Sequence, residues 1–396
     1  LLISILKDTL MLKPAQRVAD LPQLFFANLN QRIATLQSEG AQVIRLDAGS
    51  PDLPPHPTVL AALKANTDDP TQHNYGSYGG LPYFRQAIIN YYDRRFGVKL
   101  AQNEVQPLIG SKEGIANIHL AWLNPGELVL IPDPGYSSYA AAPILAGGRV
   151  ERFPLLPELG WLPDLAAIPT ATAQAARMLW LNYPNNPTGA AAPMSFFQEA
   201  VEFCRHYEIL LCHDAPYTDV TFDGYRAPSL LEVPGAKDVV IEFNSLSKTY
   251  NMAGWRVGMA VGNSVAVQAL AKIKTQVDSG IAKPIQQMAA QAMNGDQAWV
   301  DERNAVYQKR RDLCLAAFEE LGLEALPAKG GLYVWFRTPA GYTSAEFHDH
   351  LLEQAHVALV PGSMYGRQGE SWMRLSFVYD SETLIEALTR VKKLLG

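Results

Sequence analysis

The sequence predicts an α/β fold: a large domain built on a mainly parallel sheet flanked by helices, with a smaller α+β domain beside it. Short apolar runs alternate with amphipathic stretches from about residue 80 to residue 290, the pattern of strand–helix–strand units. A long amphipathic stretch from Asp296 to Leu321 has charges on one side and Val300, Val306, Leu313, Leu315 and Phe318 among its apolar residues. A helix of that length bridges into a second domain. The 396 residues are enough for both bodies to bury a core. The expected boundaries are 1–57 for an N-terminal extension and a segment joining the small domain, 58–298 for the large domain and 299–396 for the small one.

Taken in order, a helix is expected around Leu21 to Gln37, then a strand-like run from Val105 to Ile109 that meets a helix starting near Glu113. Buried strands are expected next at Leu128 to Ile131, Met178 to Leu181, Ile209 to Cys212, Val239 to Phe243 and Val257 to Val261. Beyond the long helix come a strand at Tyr333 to Phe336, helical Ser344 to Ala355, a strand near Met373 to Phe377 and a last helix from Glu382 to Leu395. There is no internal repeat and no low-complexity segment.

A hydrophobic share of 48% with 18% charged residues is ordinary for a compact enzyme and argues against disorder. The net charge of -6 has no basic stripe behind it, which disfavours nucleic acid as a partner. Cys204, Cys212 and Cys314 lack metal-ligand spacing and cannot all pair, so no metal is expected and a reduced, cytoplasmic protein is. The opening Leu1-Leu2-Ile3-Ser4-Ile5-Leu6 resembles an export signal but is broken by Lys7 and Asp8 and has no cleavage site. With Met11 next in line, the first ten residues read as an upstream extension. No run reaches the length of a membrane span.

The segments just past the strand ends point to a site, because open α/β sheets bind ligands outside the carboxyl ends of their strands. The first buried strand leads into Asp133-Pro134-Gly135-Tyr136, the second into Asn182-Tyr183-Pro184-Asn185-Asn186-Pro187, the third ends in His213-Asp214 and the fourth in Asn244-Ser245. Lys248 stands in Ser245-Leu246-Ser247-Lys248-Thr249-Tyr250, eight residues before Arg256. A lysine at a strand mouth can join an aldehyde cofactor covalently while hydroxyls and a guanidinium hold its phosphate, which reads as a pyridoxal 5'-phosphate site. Asp214 closes a buried strand and needs a cationic partner; a protonated pyridine nitrogen is one. Tyr217, three residues on, can point its hydroxyl at the ring's phenolic oxygen. Asn186 lies in a turn stiffened by two prolines and Gly189. Gly110-Ser111-Lys112 meets a helix start, where free N–H groups favour a phosphate. Tyr136 can stack on a cofactor face, and Arg374 points either to solvent or into a cleft, where it suits a carboxylate. Taken singly each has a plainer reading: a solvated lysine, a turn aspartate, a loop, a core tyrosine, a surface arginine.

Together these residues resemble the class I aminotransferases of fold type I, from about Met11 onward. The carrying segments are Ser245-Leu246-Ser247-Lys248 with Gly254-Trp255-Arg256-Val257-Gly258, Asn185-Asn186-Pro187-Thr188-Gly189 and Asp214 with Tyr217. Further ones are Asp47-Ala48-Gly49-Ser50-Pro51-Asp52, Tyr75 through Gly80-Leu81-Pro82, and Pro361-Gly362 with Arg374. The resemblance implies a seven-stranded sheet, pyridoxal 5'-phosphate as cofactor, and Lys248 as both its covalent anchor and the carrier of the substrate's α-proton. It implies Asp214 on the pyridinium, with Tyr217 and Asn186 on the phenolic oxygen. Ser111, Lys112, Ser245, Ser247 and Arg256 would surround the phosphate, and Tyr136 would stack on the ring. Gly49, Asn186 and Arg374 would receive the substrate α-carboxylate. Tyr75 would reach the phosphate of a neighbouring subunit, which implies a homodimer with shared sites.

Within the class, Ser247-Lys248-Thr249-Tyr250-Asn251-Met252, Gly110-Ser111-Lys112-Glu113 and Asp278-Ser279-Gly280 are most similar to the LL-diaminopimelate aminotransferases of lysine biosynthesis. That substrate has a carboxylate and an ammonium at its far end, charges that Lys112 and Asp278 match; both residues are equally readable as helix-end charges. The implied reaction is a ping-pong transfer from an L-amino acid to a 2-oxo acid such as 2-oxoglutarate. An aspartate/alanine-type transaminase and a C–S lyase are the alternatives on the same scaffold. A nicotinamide dehydrogenase is disfavoured, since no Gly-x-Gly-x-x-Gly comes after an early strand. A regulator's effector domain would carry an added basic DNA-binding segment, which is not expected here.

Overall fold

The computed structural model describes residues 14–22 and 25–396. The expectation of an upstream extension over residues 1–10, before Met11, lies outside them. The described residues form twelve strands: β1 (Ile44–Arg45), β2 (Val105–Leu108), β3 (Leu128–Asp133), β4 (Arg149–Pro154), β5 (Ala176–Leu181), β6 (Leu210–Asp214), β7 (Val240–Ser245), β8 (Gly258–Gly262), β9 (Tyr333–Arg337), β10 (Val357–Ala358), β11 (Val360–Pro361) and β12 (Trp372–Ser376).

Seven of them make one sheet in the order β2-β8-β7-β6-β5-β3-β4, and only β8 runs against its neighbours. The mainly parallel α/β sheet expected from the sequence is therefore present. Its central strands are covered on both faces, so they read as mostly apolar runs, broken by Arg177 in β5 and Glu242 in β7, and not as an alternation. Period two still sorts them. Val129, Ile131, Met178 and Trp180 pack on one face against the helices Ser111–Trp122, Ser138–Ala146 and Ser264–Val277. Leu128, Leu130, Leu179 and Leu181 face the helices Pro82–Phe96, Met194–His206 and Lys283–Asn294.

The edge strand β4 was not anticipated. Its residues Arg149, Glu151 and Arg152 look like a solvated loop in sequence, and they are exposed because β3 covers one edge only.

The long helix spans Ala298–Glu320. It gives Val300 to the sheet core and Tyr307, Cys314 and Phe318 to a second core, built with β9, β12 and the helix Ser381–Leu395. There β11, β12 and β9 form an antiparallel sheet, and β1 pairs in parallel with β10. The expected helix from Ser344 to Ala355 is α-helical to His350 and continues as a π-helix over Leu351–Ala355. The N-terminal helix runs from Phe25 to Ser38 and lays Leu29 and Ile33 on Leu352 and Ala358. The three cysteines are buried and free. Among the described residues no cluster of side chains is arranged for a metal, and no helix is long and apolar enough to cross a membrane.

Candidate active site

The carboxyl ends of β3, β5, β6 and β7 open into a chamber of about 440 Å³. Gly49, Ser111, Lys112, Tyr136, Asn186, Asp214, Tyr217, Ser245, Ser247, Lys248, Arg256 and Arg374 all line it. Of the residues singled out in the sequence as cofactor or α-carboxylate ligands only Tyr75 stays away; it is 87% exposed on the surface.

Lys248 rides on the short helix Leu246–Thr249 that continues β7. Ser245 caps that helix, accepting the Ser247 N–H at 3.1 Å. The Lys248 ammonium donates to the Gly49 carbonyl, and burial pushes its pKa below the ordinary lysine value. An amine so placed is closer to its neutral, proton-accepting form than a surface lysine. From behind, Arg303 of the long helix donates to the Lys248 and Thr249 carbonyls, each at 2.6 Å.

Asp214 ends β6 and is buried. Its Oδ2 accepts the Tyr139 hydroxyl at 2.7 Å, while Oδ1 has no hydrogen-bond partner among the described residues. Burial raises its pKa to about 6. A buried carboxylate with one oxygen unmatched is a place for a cation or a donor. The residue before it, His213, bonds Glu242 at 2.8 Å, and Tyr92, Ser229 and the Leu230 N–H complete that carboxylate's shell.

At the other end of the chamber, Gly110 precedes the helix Ser111–Trp122 with φ at 77°. A side chain there would run into the Arg256 guanidinium, so glycine is what lets that cation lie against the helix start. Arg256, Lys112, Ser111, Ser245 and Ser247 line this end of the chamber beside the helix start, a set of donors that could hold an anion.

Arg374 is buried, with Nη1 on Asn186 Oδ1 at 3.0 Å and Nη2 on the Asp47 carbonyl at 2.8 Å. Its Nε has no partner among the described residues, and its guanidinium lies 4.0 Å over the Tyr333 ring. Of the two directions open to it, β12 has turned it into the cleft. Asn186 is held in turn by its own N–H on Asn182 Oδ1 at 2.7 Å, and Asn182 also donates to the Asp214 carbonyl.

Tyr333 was not singled out in the sequence, yet its hydroxyl is 3.1 Å from that of Tyr217 and its ring carries Arg374. Tyr365 also lines the chamber unannounced, as does Asp47, which the sequence offered only as part of a matching segment. The alternation of Tyr333 with Trp335 marks one face of β9, but only its register with β12 shows which face. Asp278, left open between the substrate's far end and a helix-end charge, is not in the lining of this chamber; both its oxygens meet the buried Lys274 at 2.9 and 2.7 Å, in the last turn of the helix Ser264–Val277. Lys112 does reach the chamber and also borders a neighbouring apolar cavity of about 800 Å³.

Residues 41–391 match the family described as aminotransferase class I and II. A protein of Moorella thermoacetica named LL-diaminopimelate aminotransferase is 45% identical over 386 residues, 97% of this chain and 99% of its own. The solved structure of substrate-bound BacF from Bacillus subtilis superposes with a TM-score of 0.93 at 36% identity, covering 97% of this chain and 98% of its own. A probable N-succinyldiaminopimelate aminotransferase from Thermus thermophilus does so at 0.88 and 36%, covering 93% and 100%.

Proposed function

The chain belongs to the class I and II aminotransferases, and from that premise we propose that it moves the amino group of LL-2,6-diaminopimelate to 2-oxoglutarate by a ping-pong exchange, with pyridoxal 5'-phosphate held in the chamber. It is a transaminase by family, and this family and fold are generally pyridoxal-phosphate dependent. The choice of donor is supported by relatives named LL-diaminopimelate aminotransferase at 45% identity over nearly the whole chain.

The residues fit the cofactor on two observations. Asp214 Oδ1 is a buried acceptor lacking a donor, as the partner of a protonated ring nitrogen should be. The Gly110 turn leaves room for Arg256 against a helix start, as a phosphate cradle should. The first of these carries the reading. When bound, the cofactor supplies an electron sink for the charge that develops at the substrate's Cα.

The chain's own part is binding and proton movement. Arg374, with Asn186 beside it, receives the substrate α-carboxylate through guanidinium N–H groups that its bonds to Asn186 and Asp47 leave free, and fixes the Cα–H direction. The Lys248 amine, made less basic by burial, takes the α-proton and later returns it. Tyr217 would donate to the ring's phenolic oxygen, Tyr136 would cover one ring face, and Ser111, Lys112, Ser245, Ser247 and Arg256 would hold the phosphate. Tyr75, exposed on this chain, would reach the phosphate of a second copy in a homodimer with shared sites. We place it in the cytoplasm, in lysine biosynthesis.

Borohydride reduction of the enzyme loaded with cofactor, with peptide mass analysis of the product, is expected to find the added mass on Lys248. Its appearance on another lysine, or nowhere, overturns the assignment. Single-turnover rates should be highest with LL-diaminopimelate. A higher rate with aspartate or alanine selects that type instead, and pyruvate plus ammonia released without an oxo acid selects the lyase.

A further inference from the structure

Asp214 has one donor on its carboxylate among the described residues, and that donor is Tyr139, a residue outside the chamber lining. Tyr139 is 1% exposed, and its hydroxyl must be the donor, because an ionised carboxylate only accepts. Its ring is clamped. Trp180 stacks on it at 5.1 Å and 14°, and Tyr136 meets it edge-on at 5.7 Å. Trp180 is pinned in turn by stacking on His119 and by donating its indole N–H to His119 Nε2 at 3.1 Å. Since Nε2 accepts, the His119 proton sits on Nδ1, which donates to the Ile115 carbonyl at 2.6 Å. His119 is thus neutral, and burial takes its pKa down to about 4. The whole column beneath Asp214 is rigid and uncharged.

We propose that Tyr139 is a positioning residue for this transamination, turning the Asp214 carboxylate so that Oδ1 is presented to the cofactor's ring nitrogen and keeping that carboxylate ionised. The proposal rests on the reading of Asp214 under the proposed function. The other groups facing Asp214 are His213, Lys248 and Tyr217, and none of them hydrogen-bonds its side-chain oxygens. Without Tyr139 both oxygens would be free to rotate, and burial would favour the protonated acid, which cannot hold a pyridinium.

The test loads the enzyme with cofactor labelled with nitrogen-15 in the ring and compares wild type, Tyr139→Phe and Asp214→Asn. In Tyr139→Phe the ring-nitrogen signal should move toward the unprotonated position. The dissociation constant for the cofactor should rise, and kcat should fall roughly 10- to 100-fold with KM for the amino donor little changed. A merely structural role would lower the melting temperature and leave the nitrogen signal in place; that result overturns the proposal. If Asp214→Asn moves the signal and Tyr139→Phe does not, Tyr139 alone is refuted; if neither moves it, the role of Asp214 falls too. Should Tyr139→Phe not fold, 3,5-difluorotyrosine at position 139 keeps the stack and donates more strongly. The ring nitrogen should then stay protonated to a higher pH than in wild type, and an unchanged titration of its signal refutes the proposal.

Discussion

Replacing Arg374 by lysine keeps the positive charge and removes the planar fork, so it separates charge from geometry. In the structure Nη1 and Nη2 each give one N–H, to Asn186 and to the Asp47 carbonyl, and each keeps a second N–H uncommitted. A lysine ammonium placed there can reach one carboxylate oxygen but cannot also hold Asn186 and Asp47 in the same plane. The loss is at least one charge-assisted hydrogen bond in a dry site, about 1.5–3 kcal/mol. At about 1.4 kcal/mol per decade, kcat/KM should fall roughly 10- to 150-fold. The assay compares an amino acid donor with the corresponding amine that lacks the α-carboxylate. Arg374→Lys should depress kcat/KM for the acid by that factor and leave the poor rate with the amine unchanged. If both fall by the same factor, Arg374 props the chamber open and does not bind the carboxylate.

Three further outcomes are expected. Burial lifts Asp214 from its usual 3.8 to about 6 in the cofactor-free protein, so the native state binds the extra proton between those values and stability falls as pH rises through that window. Cofactor-free Asp214→Asn should therefore be more stable than wild type above pH 6, by up to about 3 kcal/mol (some two pH units at ~1.4 each), with the gap closing near pH 4; urea denaturation at the two pH values measures it. Burial alone would raise Glu242, but the bonds from His213, Ser229 and Tyr92 outweigh it and hold the carboxyl below its usual value. Glu242→Gln should cost about 3–5 kcal/mol in the same assay, and a loss under about 1 would contradict the shell described for it. Gly110→Ala forces a Cβ into Arg256 at a left-handed φ; fluorescence titration should show weaker cofactor binding, with stability down by about 1–2 kcal/mol.

The sheet was legible because fully buried parallel strands are mostly apolar: Leu128 to Ile131 is so without interruption, and Val239 to Phe243 is so but for Glu242. Strand β4 was not, since an edge strand with Arg149, Glu151 and Arg152 exposed shares its composition with a loop. At the site, residues closing a strand, such as Asp214 and Ser245, announced themselves by interrupting an apolar run. Tyr139 and Tyr333 did not. They look like core aromatics, and what makes them part of the site is a 2.7 Å bond to Asp214 and a 3.1 Å approach to Tyr217 across 75 and 116 residues. Lys112 and Asp278 were indistinguishable as helix-end charges. Three dimensions separate them, because Lys274 lies one turn before Asp278 and engages it.

The bond from Arg374 to the Asp47 carbonyl joins residues 327 positions apart, and Lys248 meets Gly49 across 199. During vectorial synthesis the strands around Asp214 can pair long before residue 374 leaves the ribosome. On the proposed assignment, a nascent chain would hold its anion-binding turn and its amine before it has any grip on an amino acid. Variants that slow the docking of the C-terminal sheet should then yield protein that captures cofactor yet turns over nothing.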